Sequence, residues 1–168
     1  PPLPLGADAK FKRIQNLRSP NARHVRAGLL YERSKNALMW GKNINKTVAI
    51  ASLTKILTVM VVLDELDKRA DVNFKTLIPI SSKARSTASS SFLRRHPHKE
   101  VPVIELLQSA LIKSANDSCT LLSEYFGDGN PRRFAAMMNN KARMLKMRHT
   151  TYYNPHGLPG RNGNPDNT

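Results

Sequence analysis

The sequence has 168 residues, 40% of them hydrophobic, and 27 lysines and arginines against 12 aspartates and glutamates, for a net charge of +15. This length allows one domain with a core of its own, and the composition excludes disordered, collagen-like and coiled-coil classes. The longest apolar run, Ile56 to Leu63, is too short to cross a membrane, and the single cysteine, Cys119, excludes an internal disulfide framework and a cysteine-based zinc site.

The excess of positive charge predicts attraction to polyanions, whether nucleic acid, anionic lipid or an acidic cell-wall polymer. The basic residues are spread along the chain, and no run of five like charges occurs. A solvated basic surface is therefore the simpler interpretation. A basic nucleic-acid-binding domain stays a remote alternative, because the aromatic residues are too scattered to form a base-stacking platform.

The first predicted elements are an arm and a hairpin. Residues 1–23 lack periodicity and begin with three prolines in four positions, which predicts a loose N-terminal arm without a signal peptide. Two short strands, Gly28 to Glu32 and Ala37 to Trp40, then flank the turn-like stretch Arg33 to Asn36.

Helices are predicted for most of the rest of the chain. The apolar stretch from Ile50 to Leu66 has the length and spacing of a buried helix, whereas residues 71–102, rich in serine, are predicted to be irregular. Three further helices are expected, the first with Pro102 in its first turn, the second ending at Gly127 and the third capped by Asn130. Their predicted ranges are Val103 to Ile112, Asp117 to Phe126 and Pro131 to about Met147.

Ser52 and Lys55 form the first candidate for chemistry. A serine needs an adjacent base to act as a nucleophile, and a lysine three residues later in a helix lies on the same face. Lys55 interrupts a stretch that otherwise has a buried pattern, and desolvation lowers the pKa of a lysine enough to make it a base. The simpler alternative is a helix-capping serine with a solvated lysine, since a bare Ser-x-x-Lys occurs often by chance.

Two further segments are weaker on their own. Ser114-Ala115-Asn116 lies in a break between two apolar helices, where a serine and an asparagine could contact a substrate or merely cap the next helix. The segment Asn154 to Leu158 is predicted to be a tight loop, with proline fixing φ and Gly157 permitting a positive φ.

Together these segments give the chain its resemblance to a known family. It resembles the penicillin-binding D-alanyl-D-alanine carboxypeptidases, the low-molecular-mass serine D,D-peptidases, through Ile50 to Lys55, Ser114 to Asp117 and Tyr153 to Leu158. The resemblance implies an α/β (α+β) fold of the serine β-lactamase and D,D-peptidase type, with a helical cluster and part of an antiparallel sheet. Residues 24–168 would be the N-terminal portion of such a catalytic domain.

The resemblance also implies roles for single residues. Ser52 would be the acylated nucleophile and would supply one oxyanion donor through its backbone N–H, with Lys55 as its general base. Ser114 would relay a proton to the leaving amine, and Asn116 would hold the peptide backbone of the substrate. The implied reaction transfers the acyl group of a D-Ala-D-Ala stem peptide to Ser52 and then to water, and β-lactams would acylate the same serine. No metal or cofactor is expected.

One motif of the family is missing from the sequence. No lysine after Lys141 is followed by Thr-Gly, so the family's Lys-Thr-Gly strand is absent. We therefore expect a fold that is incomplete at its C-terminus or is completed by a second chain, with Thr168 near the rim of the cleft. The β-lactamase branch is disfavoured because no glutamate follows Glu124, and slow deacylation, hence penicillin sensitivity, is expected.

Three candidate functions remain. The first is a serine D,D-carboxypeptidase acting on peptidoglycan stem peptides, for which D,D-endopeptidase activity on cross-links is an open variant. The second is a non-catalytic cell-wall binding fragment of the same fold, and the third is the remote nucleic-acid-binding alternative. For the first two, the expected location is the periplasm or cell envelope, in a mature form.

Overall fold

The structure is a computed structural model that describes residues 24–89, 92–159 and 166–168. The predicted arm over residues 1–23 lies outside this range. The chain divides into two compact units, Pro1–Val48 and Ala49–Thr168, which are described separately below.

The first unit contains the predicted hairpin. Strand β1, Gly28–Glu32, pairs antiparallel with β2, Ala37–Lys42, and the register shifts at a bulge between Leu30 and Tyr31. Asn36 closes the turn with a positive φ of 49°, a conformation that asparagine adopts more readily than most residues. The hairpin prediction is confirmed, with β2 extending two residues beyond Trp40.

The second unit is mainly helical. A short 3-10 turn at Ala51–Leu53 leads into the first of five α-helices. The helices are α1 (Thr54–Lys68), α2 (Ser82–Arg85), α3 (Val103–Ile112), α4 (Asn116–Phe126) and α5 (Pro131–Met144). Helix α1 packs against α3, α4 and α5, and the buried apolar side chains of these four helices form a common core. The helices predicted from the apolar pattern are therefore confirmed.

Residues 71–102 contain more structure than predicted. Strands β3, Leu77–Pro79, and β4, Glu100–Pro102, pair antiparallel, and Ser81 caps α2 by accepting a hydrogen bond from the N–H of Ala84. The prediction that this segment is irregular is wrong here because each strand has only three residues, of which it buries one, Ile78 or Val101, and is too short to show a period of two in the sequence. Among the described residues, the strands form two separate two-stranded sheets.

Several helices begin or end at residue types that are typical of helix caps. Pro102 is the N-cap of α3, Gly127 is the C-cap of α4, and the Asn130 side chain accepts hydrogen bonds from the N–H groups of Arg132 and Arg133 at the start of α5. Helix α5 ends at Met144, three residues earlier than predicted. Within the described parts of the chain, no helix is long and apolar enough to cross a bilayer.

Candidate active site

Ser52 and Lys55 lie where the 3-10 turn joins α1. Ser52 is exposed in the turn, and Lys55, in the first turn of α1, has only 2% of its surface exposed. Ala51, which precedes the serine, has a φ of 46°, a strained conformation for a residue with a Cβ. The turn therefore presents the hydroxyl to solvent while the lysine beside it is buried.

The lysine head group has two acceptors. Lys55 Nζ lies 3.0 Å from Ser52 Oγ and 2.9 Å from the carbonyl oxygen of His156. Because a carbonyl oxygen only accepts, it takes one N–H of Lys55 in either protonation state. In the neutral amine, the nitrogen lone pair is then available to accept the proton of the Ser52 hydroxyl. This is the contact that a serine nucleophile and its base require.

Burial lowers the pKa of Lys55 from its ordinary value of 10.5, because desolvation disfavours the ammonium. The Cys119 thiol lies close enough to interact with the lysine, and its negative form would act in the opposite direction. Burial, however, raises the pKa of Cys119 itself to about 12, so the thiol is neutral at lower pH. Desolvation therefore dominates and favours the basic form of Lys55. Cys119 is a free, buried cysteine.

The loop from Asn154 to Leu158 supports this pair from one side. Thr58 Oγ1 donates to the Pro155 carbonyl oxygen at 2.6 Å, and the Asn154 side chain accepts from the N–H of Gly157 at 2.6 Å. Gly157 has a φ of +78°, and a Cβ there would lie 1.8 Å from the carbonyl oxygen of Ala51. Only glycine allows this approach, so the loop fixes both the His156 carbonyl and the turn that carries Ser52.

The imidazole of His156 forms a hydrogen bond within its own loop. Its Nδ1 accepts a hydrogen bond from the N–H of Leu158 at 3.1 Å. Burial, with a smaller contribution from the charge of Lys55, lowers the pKa of His156 to about 4. The ring is therefore neutral near pH 7, and it is the backbone carbonyl of this residue that contacts Lys55.

The sequence analysis missed Asn167. Its side chain is buried, and its Nδ2 donates to Thr54 Oγ1 at 3.1 Å and to the Asn154 carbonyl oxygen at 2.8 Å. The backbone carbonyl oxygen of Asn167 accepts a hydrogen bond from the N–H of Ile50. An asparagine in a Gly-, Pro- and Asn-rich tail gives no local signal of burial, so only the fold identifies it. Its position beside α1 agrees with the expectation that Thr168 lies near the site.

Ser114 and Asn116 occupy the break between α3 and α4. Ser114 is exposed and has a φ of 53°, and Asn116 is the first residue of α4, with 5% of its surface exposed. The Asn116 side chain donates to the carbonyl oxygens of Ala88 and Ser89, both at 3.3 Å, so it does not cap α4. The structure thus joins Ser52 to Lys55 directly, whereas no hydrogen bond between described residues joins Ser114 or Asn116 to that pair.

No cluster of three or more potential metal ligands occurs among the described side chains.

The geometry can be compared with known proteins. A family model described as D-alanyl-D-alanine carboxypeptidase (peptidase S11) matches residues 15–164. The chain is 30% identical over 153 residues to the D-alanyl-D-alanine carboxypeptidase DacF of Bacillus subtilis. That match covers 90% of this chain and 39% of the relative, so the chain spans about two fifths of the relative's length.

Two solved structures have the same fold. The D-alanyl-D-alanine carboxypeptidase DacD of Francisella tularensis superposes with a TM-score of 0.74 at 33% identity, over 84% of this chain and 33% of that one. Penicillin-binding protein D2 of Listeria monocytogenes, in an ampicillin-bound form, gives a TM-score of 0.72 at 25% identity, over 84% of this chain and 55% of that one. The fold is therefore the serine β-lactamase and D,D-peptidase fold, as expected from the sequence.

Proposed function

The chain belongs to the D-alanyl-D-alanine carboxypeptidase family, whose match extends over residues 15–164, and we propose that it provides the nucleophile and base of a serine D,D-carboxypeptidase acting on peptidoglycan stem peptides. The observation that carries this proposal is the buried Lys55, with its Nζ 3.0 Å from the exposed Ser52 hydroxyl. A solvated lysine beside a helix-capping serine, the simpler alternative, would not be buried.

The first step is acylation. Neutral Lys55 takes the proton of the Ser52 hydroxyl as Oγ attacks the carbonyl carbon of the D-Ala-D-Ala bond. The negative charge that develops on the carbonyl oxygen is stabilised by backbone N–H donors, of which the Ser52 N–H, in the 3-10 turn before α1, is one. When the tetrahedral intermediate collapses, the bond to the terminal D-alanine breaks, and its amine leaves with a proton.

Deacylation then releases the shortened peptide. Lys55 is neutral again once its proton has passed to the leaving amine. Water then attacks the acyl group on Ser52 while Lys55 takes a proton from it, and Lys55 gives that proton to Ser52 Oγ as the acyl–serine bond breaks. Ser114 would relay the proton to the leaving amine in the acylation step, and Asn116 would bind the substrate backbone. Exposure of Ser114 beside the buried Asn116 supports these two roles. A β-lactam would acylate Ser52 by the same attack, with slow deacylation.

The proposal is tested by intact mass after incubation with benzylpenicillin, followed by peptide mapping. We expect one stable adduct, located on Ser52. Ser52→Ala should remove it, whereas Ser34→Ala, a change of an exposed serine in the hairpin turn, should leave it unchanged. Absence of an adduct from folded protein would contradict the proposal and favour a non-catalytic cell-wall binding fragment.

Endopeptidase activity on peptidoglycan cross-links would use the same two residues. Incubation with a stem pentapeptide and with a cross-linked dimer separates the activities: release of D-alanine supports the carboxypeptidase, and cleavage of the dimer alone supports the endopeptidase. Repeating the assay with the segment of a relative that follows the matched region tests whether a second chain completes the site. Peptidoglycan as substrate implies a cell-envelope location, which fractionation of the producing cells would test.

A further inference from the structure

Charge is unevenly distributed in the C-terminal part of the sequence. Between Asp128 and Asp166 there is no aspartate or glutamate, whereas six lysines and arginines lie within the 17 residues from Arg132 to Arg148. Helix α5 and the turn after it lie in this acid-free segment. A chain with 12 carboxylates elsewhere thus concentrates positive charge on one helix and its C-terminal turn.

Helix α5 has one buried face. Phe134, Met138 and Ala142 recur every four residues and are buried in the core. Arg132 and Arg143, which are eleven residues and so about three helical turns apart, lie on the opposite, exposed side. The helix therefore anchors itself through its apolar stripe and presents arginine to solvent.

Several cations of this segment have no carboxylate partner. Arg133 pairs with Asp128, and Lys141 pairs with Asp64. Within the described ranges, no ion pair involves the remaining cations of α5 and its C-terminal turn. The cations without a carboxylate partner are Arg132, Arg143, Lys146 and Arg148, and all four are exposed. The Arg143 guanidinium donates a hydrogen bond to the side-chain oxygen of Asn140.

Two apolar side chains lie among these cations. Met144 is 76% exposed and Leu145 is 45% exposed, and both stand between Arg143 and Lys146. Cations flanking exposed apolar residues are typical of surfaces that lie on anionic membranes.

Lys146 occupies a position that usually holds glycine. Its φ is 61°, and the N–H of Met147 donates to the carbonyl oxygen of Ala142, the hydrogen bond of a Schellman cap. A non-glycine residue in this conformation costs stability. Lys146 therefore places an exposed cation beside Met144 and Leu145 at a position where glycine would fold better.

We propose that the α5 basic face, defined as Arg132, Arg143, Met144, Leu145, Lys146 and Arg148, docks on the surface of an anionic phospholipid bilayer. The cations would contact lipid phosphates, and Met144 and Leu145 would enter the interfacial region. A soluble anionic polymer would satisfy the arginines and Lys146 but would give the two apolar side chains no partner, so a bilayer fits the surface better. This surface does not include the proposed catalytic residues, and its function does not depend on them.

Binding to vesicles tests the proposal. The 168-residue chain should co-sediment with phosphatidylglycerol–phosphatidylcholine vesicles at low salt and not with phosphatidylcholine alone. Replacing both Arg143 and Arg148 by glutamine should weaken binding about 25-fold, at about fivefold for each cation. The matched control replaces the exposed pair Arg94 and Arg95 by glutamine, which removes the same charge elsewhere and should change binding much less.

Two further variants separate binding from folding. Lys146→Gly should raise the thermal unfolding midpoint, since glycine suits the positive φ, and should nevertheless weaken binding about fivefold. Met144→Ser combined with Leu145→Ser should weaken vesicle binding about tenfold and leave binding to soluble polyphosphate unchanged.

Three results would overturn the proposal. Equal losses from the two double-glutamine variants would mean that net charge alone drives binding. Unchanged vesicle binding of Lys146→Gly would remove the role of that lysine. Unchanged vesicle binding of the double-serine variant would assign the surface to soluble polyanions.

Discussion

The ionisable side chain of Lys55 is almost completely buried, and two specific acceptors provide hydrogen bonds for its amine. The Ser52 hydroxyl and the His156 carbonyl oxygen are both within 3.0 Å of Nζ, so either protonation state finds partners. Desolvation nevertheless penalises the charged form, which is the physical reason that this lysine can act as a base.

The protonation of Lys55 can be measured without turnover. We expect the Cε chemical shift of Lys55, in protein labelled with carbon-13 lysine, to titrate with a midpoint below 10.5 because burial lowers this pKa. Lys55→Met identifies the signal by removing it. If acylation by benzylpenicillin is observed, its rate should rise with pH through the same midpoint, since the neutral amine is the active form. A midpoint at or above 10.5 would contradict the assignment of Lys55 as base.

His156 gives a second prediction at this scale. The folded protein holds this imidazole neutral down to about pH 4, whereas the unfolded chain protonates it near 6.5. The unfolded state therefore binds more protons between these values, and the free energy of unfolding should fall by up to about 3 kcal/mol as the pH drops from 6.5 to 4. His156→Asn keeps an acceptor for the N–H of Leu158 and should flatten this dependence in urea titrations. If the free energy of unfolding of His156→Asn still falls as steeply with decreasing pH, groups other than His156 cause the dependence.

At the scale of elements, the site depends on a loop packed against a helix start. The segment Asn154–Leu158 supplies the carbonyl for Lys55, accepts the Thr58 hydroxyl and brings Gly157 against Ala51. Asn167 joins this loop to Thr54. The geometry of Ser52 and Lys55 thus depends on residues about a hundred positions away in the sequence.

Gly157→Ala tests this contact. The new Cβ would meet the Ala51 carbonyl oxygen at 1.8 Å, so we expect a loss of about 3 kcal/mol or more in unfolding free energy, together with displacement of the Ser52 turn. Gly129→Ala is the matched control, because Gly129 has a similar φ of +75° but nothing within 4 Å of its Cβ position. Gly129→Ala should lower the free energy of unfolding by only about 1–2 kcal/mol, because alanine is disfavoured at a positive φ. Equal losses in the two variants would argue against the steric contact.

Asn130 tests the start of α5. Its side chain satisfies the N–H groups of Arg132 and Arg133, so Asn130→Ala should lower the free energy of unfolding by about 0.5–2 kcal/mol. Asn140→Ala, on the exposed side of the same helix, removes only a solvent-exposed acceptor of the Arg143 guanidinium and should change it by less than about 0.5 kcal/mol. Chemical denaturation of both variants provides the comparison, and a larger effect at Asn140 would contradict the capping role.

At the scale of the whole molecule, the core belongs to one unit. Every residue of the main apolar cluster, from Ile50 to Tyr152, lies within Ala49–Thr168. The hairpin of the first unit instead exposes Leu29 and Leu30 and contributes nothing to that cluster. Hydrophobic burial, the main stabilising contribution to folding, is thus concentrated after residue 48.

We therefore expect a chain of residues 49–168 to fold without the first unit. Its helical circular dichroism signal should remain, and its thermal unfolding should stay cooperative, because the helix-packing contacts are all retained. A chain of residues 24–48, the described part of the first unit, serves as a control and should show no cooperative transition, since an isolated two-stranded hairpin is marginal in water. A non-cooperative transition of the 49–168 chain would show that the first unit is needed.

The sequence by itself determined the hairpin, the four longer helices and the pairing of Ser52 with Lys55. These features depend on local rules: turn residues between strands, apolar side chains at helical spacing, capping residues, and the three-residue separation that places two side chains on one helix face. The resemblance of three short motifs was enough to identify the family and the fold. The domain limits and the roles of Ser114 and Asn116 remain predictions.

Only the tertiary structure decided what surrounds the pair. Burial of Lys55, its contact with the His156 carbonyl and the role of Asn167 all join residues far apart in the chain, and no periodicity or local motif encodes such contacts. The short strands β3 and β4 were missed for the same reason, because a three-residue strand is stabilised by its partner and not by its own pattern. Long-range packing sets the desolvation of Lys55, and desolvation is what makes a lysine a base.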